Sequence, residues 1–435
     1  MKRNVTLGPL IAAVYLMVCG GPFGLEDTVA QSGYLGAILL LLITPVIWAL
    51  PTALMVAELG STLPEEGGYY VWAKRSMGPF WGFMEAWLSL VGSIFDMAIY
   101  PTLFVSYLEH MNPAITANGK GLWIGIGLIA VCAAANLAGA RAVSFTSFAF
   151  TALLLSPFLV LSIYSAVHPA PAPATPAPKF DFLLGLLVAM WNYMGWDNSS
   201  TIAGEVDRPQ RTYPLAMAGA VTLGALTYIV PIVAVAATGL AANKWTTGGW
   251  ADVARAVLGS GGLAQAVAVG ITIGGMMGAA GTLNALTMSL SRLPAVLADD
   301  GFLPRVFARR NPRNGAPYVA IFACAIVWAL ALNLSFAKLI MLDVMLTGAS
   351  ILLEFASLVA LRIREPELPR PYRVPGGVAG TIGVAVGPLV LLILAVVRNK
   401  AEPIGPINAL QLGAILIAVG VVSYFLSARF RRKPA

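Results

Sequence analysis

Long apolar runs recur along the chain, and few of them alternate in the way half-buried strands do. They predict helices over 7–31, 35–61, 79–109, 121–138, 142–167, 180–203, 213–238, 261–291, 316–333, 337–363, 379–397 and 407–428. Each is near the length of roughly 20 residues that crosses a bilayer's hydrocarbon. Twelve spans leave no room for a separate soluble domain. The stretch "HPAPAPATPAP" (168–178) reads as a stiff, polyproline-like spacer, and "EPELPRPYRVPGG" (365–377) as the other long connection. Residues 245–262 fit a short amphipathic helix lying on the surface. The first run follows Met-Lys-Arg, like a signal peptide. It lacks a small-x-small cleavage site and reads as an uncleaved helix.

Two of the runs are spoiled in the middle. The first carries "VCGGPFGLEDT" (18–28) and the sixth "WNYMGWDNSS" (191–200). Glycines admit positive φ, and Pro22 lacks an N–H donor and clashes with the preceding turn. In hydrocarbon a bared peptide group costs several kcal/mol, so a break survives only where protein, water or cargo completes it. The half-helix starting near Phe23 aims N–H groups and a positive dipole end into the gap, which suits a carboxylate. The carbonyls that end the preceding half suit an ammonium group. Each broken run is followed by four more spans. A five-helix unit repeated with inverted topology therefore puts the breaks in matching positions, the arrangement that marks a secondary transporter's binding site.

Composition fits this picture. Hydrophobic residues make up 58% of the 435 and charged ones 11%, with mean hydropathy +0.80, against about 25% charged in soluble chains. With the N-terminus placed in the cytoplasm, cytoplasmic segments hold twenty of the 27 Lys and Arg. This asymmetry predicts a multi-pass protein of the cytoplasmic membrane with both termini inside. It also accounts for the net charge of +7 without nucleic acid. Cys19, Cys132 and Cys324 lie far apart within spans, and His110 and His168 fall in loops. No metal spacing or phosphate-cradling loop is legible. A membrane-embedded enzyme would need a nucleophile–base pair or metal ligands at midspan, and the sequence offers neither.

Ionisable side chains at midbilayer are functional candidates by default. Asp27 and Asp197 adjoin the breaks, beside Glu26. Asp96 sits midway along the third span with Tyr100 one turn on, and Glu85 lies on the same face eleven residues earlier. Glu58 reads as capping or snorkelling near the cytoplasm, and Asp343 as lying near the outer surface. Trp191 and Trp196 are candidates for closing a cavity.

These stretches, with "AELGSTLPEEGGYYVWA" (57–73), "GPFWGFMEAW" (78–87), "FDMAIYP" (95–101) and "LRIREPELPRPYRVP" (361–375), resemble the amino acid–polyamine–organocation superfamily, and within it the polyamine uptake branch. The resemblance implies a midmembrane site between helices 1, 3, 6, 8 and 10, alternating access and proton-driven uptake. It also implies acids on helix 8 of polyamine carriers. Here no Asp or Glu lies between Asp252 and Asp299, which weighs toward a small amino acid. Helix 5 carries no lysine to stand in for sodium, while Thr282, Thr287 and Ser289 keep a sodium site open.

The expectation is thus an all-α membrane protein of twelve transmembrane helices in a five-plus-five inverted repeat with helices 1 and 6 broken. It forms one domain over 1–435, with repeats at 7–167 and 180–363 and two added helices at 379–428. It imports amino acids or polyamines by alternating access, coupled to protons. The alternatives are a sodium-coupled or exchange-type amino acid transporter, or a channel. Substrate contacts are expected from Gly20, Gly21, Gly24, Asp27, Asp96, Tyr100, Trp191, Asn192, Trp196 and Asp197, and proton coupling from Glu26, Asp27, Asp96 and Asp197. No cofactor, metal, nucleic acid or obligate protein partner is expected, only a small-molecule substrate and the lipid bilayer.

Overall fold

A computed structural model describes residues 6–65, 67–137, 147–171, 181–206 and 208–427. The first half comprises α1 (Leu7–Val18), α2 (Glu26–Thr44), a π-helical turn at Pro45–Ala49, α3 (Leu50–Thr62), α4 (Tyr69–Met77), α5 (Pro79–Met111), α6 (Pro113–Thr116), α7 (Lys120–Leu137) and α8 (Ser147–Val167). The second half comprises α9 (Phe182–Asn192), a 3-10 segment Trp196–Glu205, α10 (Pro209–Ala236), α11 (Trp250–Leu258), α12 (Gly262–Leu290), α13 (Arg292–Asp299), α14 (Tyr318–Leu330), α15 (Phe336–Arg364), α16 (Gly377–Asn399) and α17 (Ala409–Ser427). A two-residue hairpin, Pro403–Ile404 with Ile407–Asn408, joins the last two.

Among the described residues, eight helical stretches are long and apolar enough to span, and two shorter apolar helices add to them. The two broken spans complete the twelve. The first span is α1 plus the start of α2. Gly33, at φ 67°, then turns the chain back into the second span, a reversal that glycine adopts without steric cost. Pro45 and Pro51 lie where that second span loosens into a π turn, as expected when donors are removed from the ladder. The expected surface helix after Trp245 is α11, with Trp250 fully buried and Arg255 on its outer side.

Leu35, Trp123 and Leu330 are more than 70% exposed and belong to an apolar girdle facing lipid. Since lipid is as apolar as leucine, the helices associate through close approach and polar contacts. Gly92 of α5 faces Thr347 of α15 so closely that a Cβ there would stand 2.3 Å from the threonine hydroxyl. Gly275 of α12 lies flat against the ring of Tyr107 in the same way.

Candidate functional site: a cavity between two helix breaks

Both interruptions are present. Between α1 and α2 the chain runs through Gly20, Gly21 and Gly24 at φ 59°, 102° and 79°. Between α9 and the 3-10 segment it passes Tyr193, Met194 and Gly195, the last at φ 92°. A single hydroxyl fastens the two gaps together. Tyr228 Oη of α10 lies 3.0 Å from the carbonyl of Cys19 and 2.9 Å from that of Asn192, so one O–H serves the last carbonyls of both half-helices. Tyr228 is fully buried, and its position supplies what bared carbonyls in a membrane require.

The breaks open on a cavity of about 920 Å³, counting its mouth, which is lined from α1, α5, the 191–198 segment, α12 and α15. Gly20, Asp96, Tyr100, Trp191, Asn192 and Asp197 are among the lining residues. Asp96 Oδ1 accepts hydrogen bonds from Tyr100 Oη at 3.1 Å and Trp191 Nε1 at 3.2 Å. The two rings lie 6.1 Å apart, and Phe336 meets Trp191 edge-on at 5.9 Å. Asn192 spends its amide on Val188 O within its own helix. Asp197 is 7% exposed, and its Oδ1 has no hydrogen-bond partner.

Other nominated residues lie behind the cavity wall. Gly24 abuts Trp191, where a Cβ would come within 2.9 Å of the indole, and Gly21 packs under Phe23 and Leu154. Trp196 is fully buried and donates to Tyr193 O, so it braces the second break from outside the lining. Asp27 lies away from the lining and accepts from Thr247 of the α10–α11 connection at 2.7 Å. Glu26 is fully buried, outside the lining, and accepts from Tyr107 at 2.5 Å.

Three features escaped the sequence. Asp343 does not lie at the surface: it is 2% exposed, lines the cavity and accepts from Thr347 at 2.6 Å. Its depth follows from the start of α15, because Phe336 is already packed on Trp191. Tyr228, a lone tyrosine in an apolar run, gave only the weak signal of a midspan polar tip. Glu58 is a buried hub. It pairs with Arg362 at 2.6 Å and Arg370 at 3.3 Å and accepts the Val374 N–H at 2.6 Å, clamping the α15–α16 loop onto α3.

Chemically, the cavity presents carboxylates from three separate elements, with aromatic faces beside them and no Lys, Arg or His among its lining residues. Among the described residues no group of three or more His, Cys, Asp or Glu could hold a metal ion.

A bundle of this kind, with two broken spans facing one buried cavity, is a membrane transporter rather than an enzyme. Residues 11–425 match the amino acid permease family, and the chain belongs to it, within the amino acid–polyamine–organocation superfamily. It is 35% identical over 419 residues to the polyamine transporter PUT1 of Oryza sativa subsp. japonica, covering 95% of this chain and 78% of that one. It is 31% identical over 429 residues to the polyamine transporter RMV1 of Arabidopsis thaliana, covering 95% and 84%. The crystal structure of MhsT in complex with L-phenylalanine superposes with a TM-score of 0.61 at 14% identity, covering 98% of this chain and 99% of that one, which shows the shared fold.

Proposed function

We propose that the chain imports polyamines across the cytoplasmic membrane by alternating access, together with protons carried inward on its buried carboxylates. The observation that carries this reading is the charge of the cavity: Asp96, Asp197 and Asp343 line it, with no basic side chain among its lining residues. Carboxylates in a low-dielectric site need their charge balanced by cations or protons. Alkylammonium groups balance it, and Trp191, Tyr100 and Phe23 add π faces that attract cations. A substrate carboxylate is served less well, because the positive end of α2 already carries Glu26 and Asp27 in its first turn. Asp343 on α15 supplies the acid that helix 8 lacks. The similarity to two plant polyamine transporters supports the same class. The Lys and Arg asymmetry supports cytoplasmic termini.

The test is uptake of labelled putrescine, spermidine and arginine into proteoliposomes whose lumen is held alkaline. Polyamines are expected to accumulate, a protonophore to abolish accumulation, and Asp96→Asn or Asp343→Asn to lower uptake by roughly tenfold or more. Transport of amino acids with neither transport nor competition by polyamines overturns the substrate class. Accumulation that follows sodium and ignores the protonophore overturns the coupling.

A further inference from the structure

Two further acids lie below the cavity. Glu85 on α5 and Glu354 on α15 are 0% and 1% exposed. Each stands eleven residues from a cavity acid on its own helix, Glu85 from Asp96 and Glu354 from Asp343. Eleven residues are close to three turns, so each pair shares a helix face and is offset by about 16 Å along the axis. The helices run antiparallel and are held close by Gly92 against Thr347. Asp96 and Asp343 therefore form one tier and Glu85 and Glu354 another. Ser89 joins the tiers: it lines the cavity, donates to Glu85 at 2.9 Å and lies 2.8 Å from Ser350, which itself donates to Glu85 at 2.7 Å. Asp197 is within electrostatic reach of both tiers.

The lower tier is incomplete as it stands. Glu85 Oε2 and Glu354 Oε2 are buried with no hydrogen-bond partner, and no cation pairs with either acid among the described residues. Tyr69, which also lines the cavity, is the neighbouring polar group that both acids and Asp197 act upon. The serine hydroxyls cannot neutralise two carboxylates. Their charge is balanced by a proton or by a cation reaching in from the cavity past Ser89.

We infer that Glu85 and Glu354, with Ser89 and Ser350, form a second ammonium subsite, so that a tri- or tetraamine engages both tiers while a diamine engages only the upper one. The inference rests on the proposed polyamine function and adds a length rule to it. Asp197, which lines the cavity and is within electrostatic reach of both tiers, would face the internal nitrogens of the longer chain.

The experiment is calorimetric titration of purified full-length protein with putrescine, spermidine and spermine, comparing wild type with Glu85→Gln and Glu354→Gln. Spermine affinity is expected to fall by roughly tenfold or more in each variant, with putrescine affinity unchanged. Retained putrescine binding shows that a variant is folded. Should the Gln forms not fold, Glu85→Asp and Glu354→Asp, which withdraw the charge by one methylene, are expected to lower the spermine-to-putrescine affinity ratio in the same direction. Equal losses for all three amines, or no loss for spermine, overturn the subsite. So does an unchanged affinity profile with a shifted pH dependence, which would make the pair a proton carrier. A wild type that binds no amine refutes the polyamine reading itself, and a wild type that binds all three without a length-dependent response in the variants refutes only the subsite.

Discussion

Tyr228 and Asp27 show how little residue type alone says about where a side chain lies. Asp27 looked like a binding carboxylate because it follows the break, yet it is engaged by Thr247 outside the cavity lining. Asp27→Asn is expected to leave polyamine affinity within about twofold, whereas Asp96→Asn, which alters the acceptor shared by Tyr100 and Trp191, is expected to weaken it by roughly tenfold. Titration calorimetry on both variants reads the contrast. Tyr228→Phe removes the one hydroxyl serving two buried carbonyls and is expected to cost about 1–3 kcal/mol, seen as a lowered melting temperature in detergent. Gly24→Ala places a Cβ against Trp191 at a positive φ and is expected to lower both melting temperature and uptake. The glycines were legible as breakers because their conformational freedom is intrinsic to the residue. The partner that completes the bared groups was not, because Tyr228 comes from a span 209 residues away from Cys19.

At the scale of elements, the hydrophobic pattern placed the spans closely. The run at 79–109 is α5, and that at 337–363 is α15. Residues 142–146 of the fifth predicted helix and the spacer 172–178 lie outside the described residues. Periodicity located helices but could not say which faces meet. Asp343 lies deep because the start of α15 is itself packed inside the bundle, which the periodicity of one helix does not reveal. Glu58 was misjudged because a carboxylate near a span's end has a solvated alternative that only tertiary contacts exclude. Glu58→Gln strands Arg362 and Arg370 in a buried setting and is expected to destabilise by about 3–5 kcal/mol, measured by thermal unfolding. Gly92→Ala forces α5 and α15 apart at the cavity's wall, and is expected to weaken amine binding as well as lower the melting temperature.

Across the whole molecule, the two faces of the bundle are secured by different chemistry. On the face bearing α4, exposed ion pairs join α4 to its neighbours. Lys74 pairs with Asp300 at 2.6 Å, and Arg75 with Glu365 at 2.8 Å. The Arg75 guanidinium holds the Glu365 carboxyl below the ordinary carboxylate range. That contribution is present above the ordinary range and is lost as pH falls through the lowered value. Thermal melts of wild type and Glu365→Gln are expected to converge in acid and in high salt. The opposite face is closed by packed rings. Trp245 and Trp250 meet edge-on at 4.6 Å, Phe158 packs on Trp250, and Trp250 Nε1 donates to Pro22 O at 2.7 Å.

That last bond ties the ring cover to the first helix break. Pro22 sits between Gly20 and Phe23, which line the cavity, so the indole holds backbone at the cavity's edge. A shift in the backbone of the break is therefore carried to the ring cover, and a shift of the cover to the break.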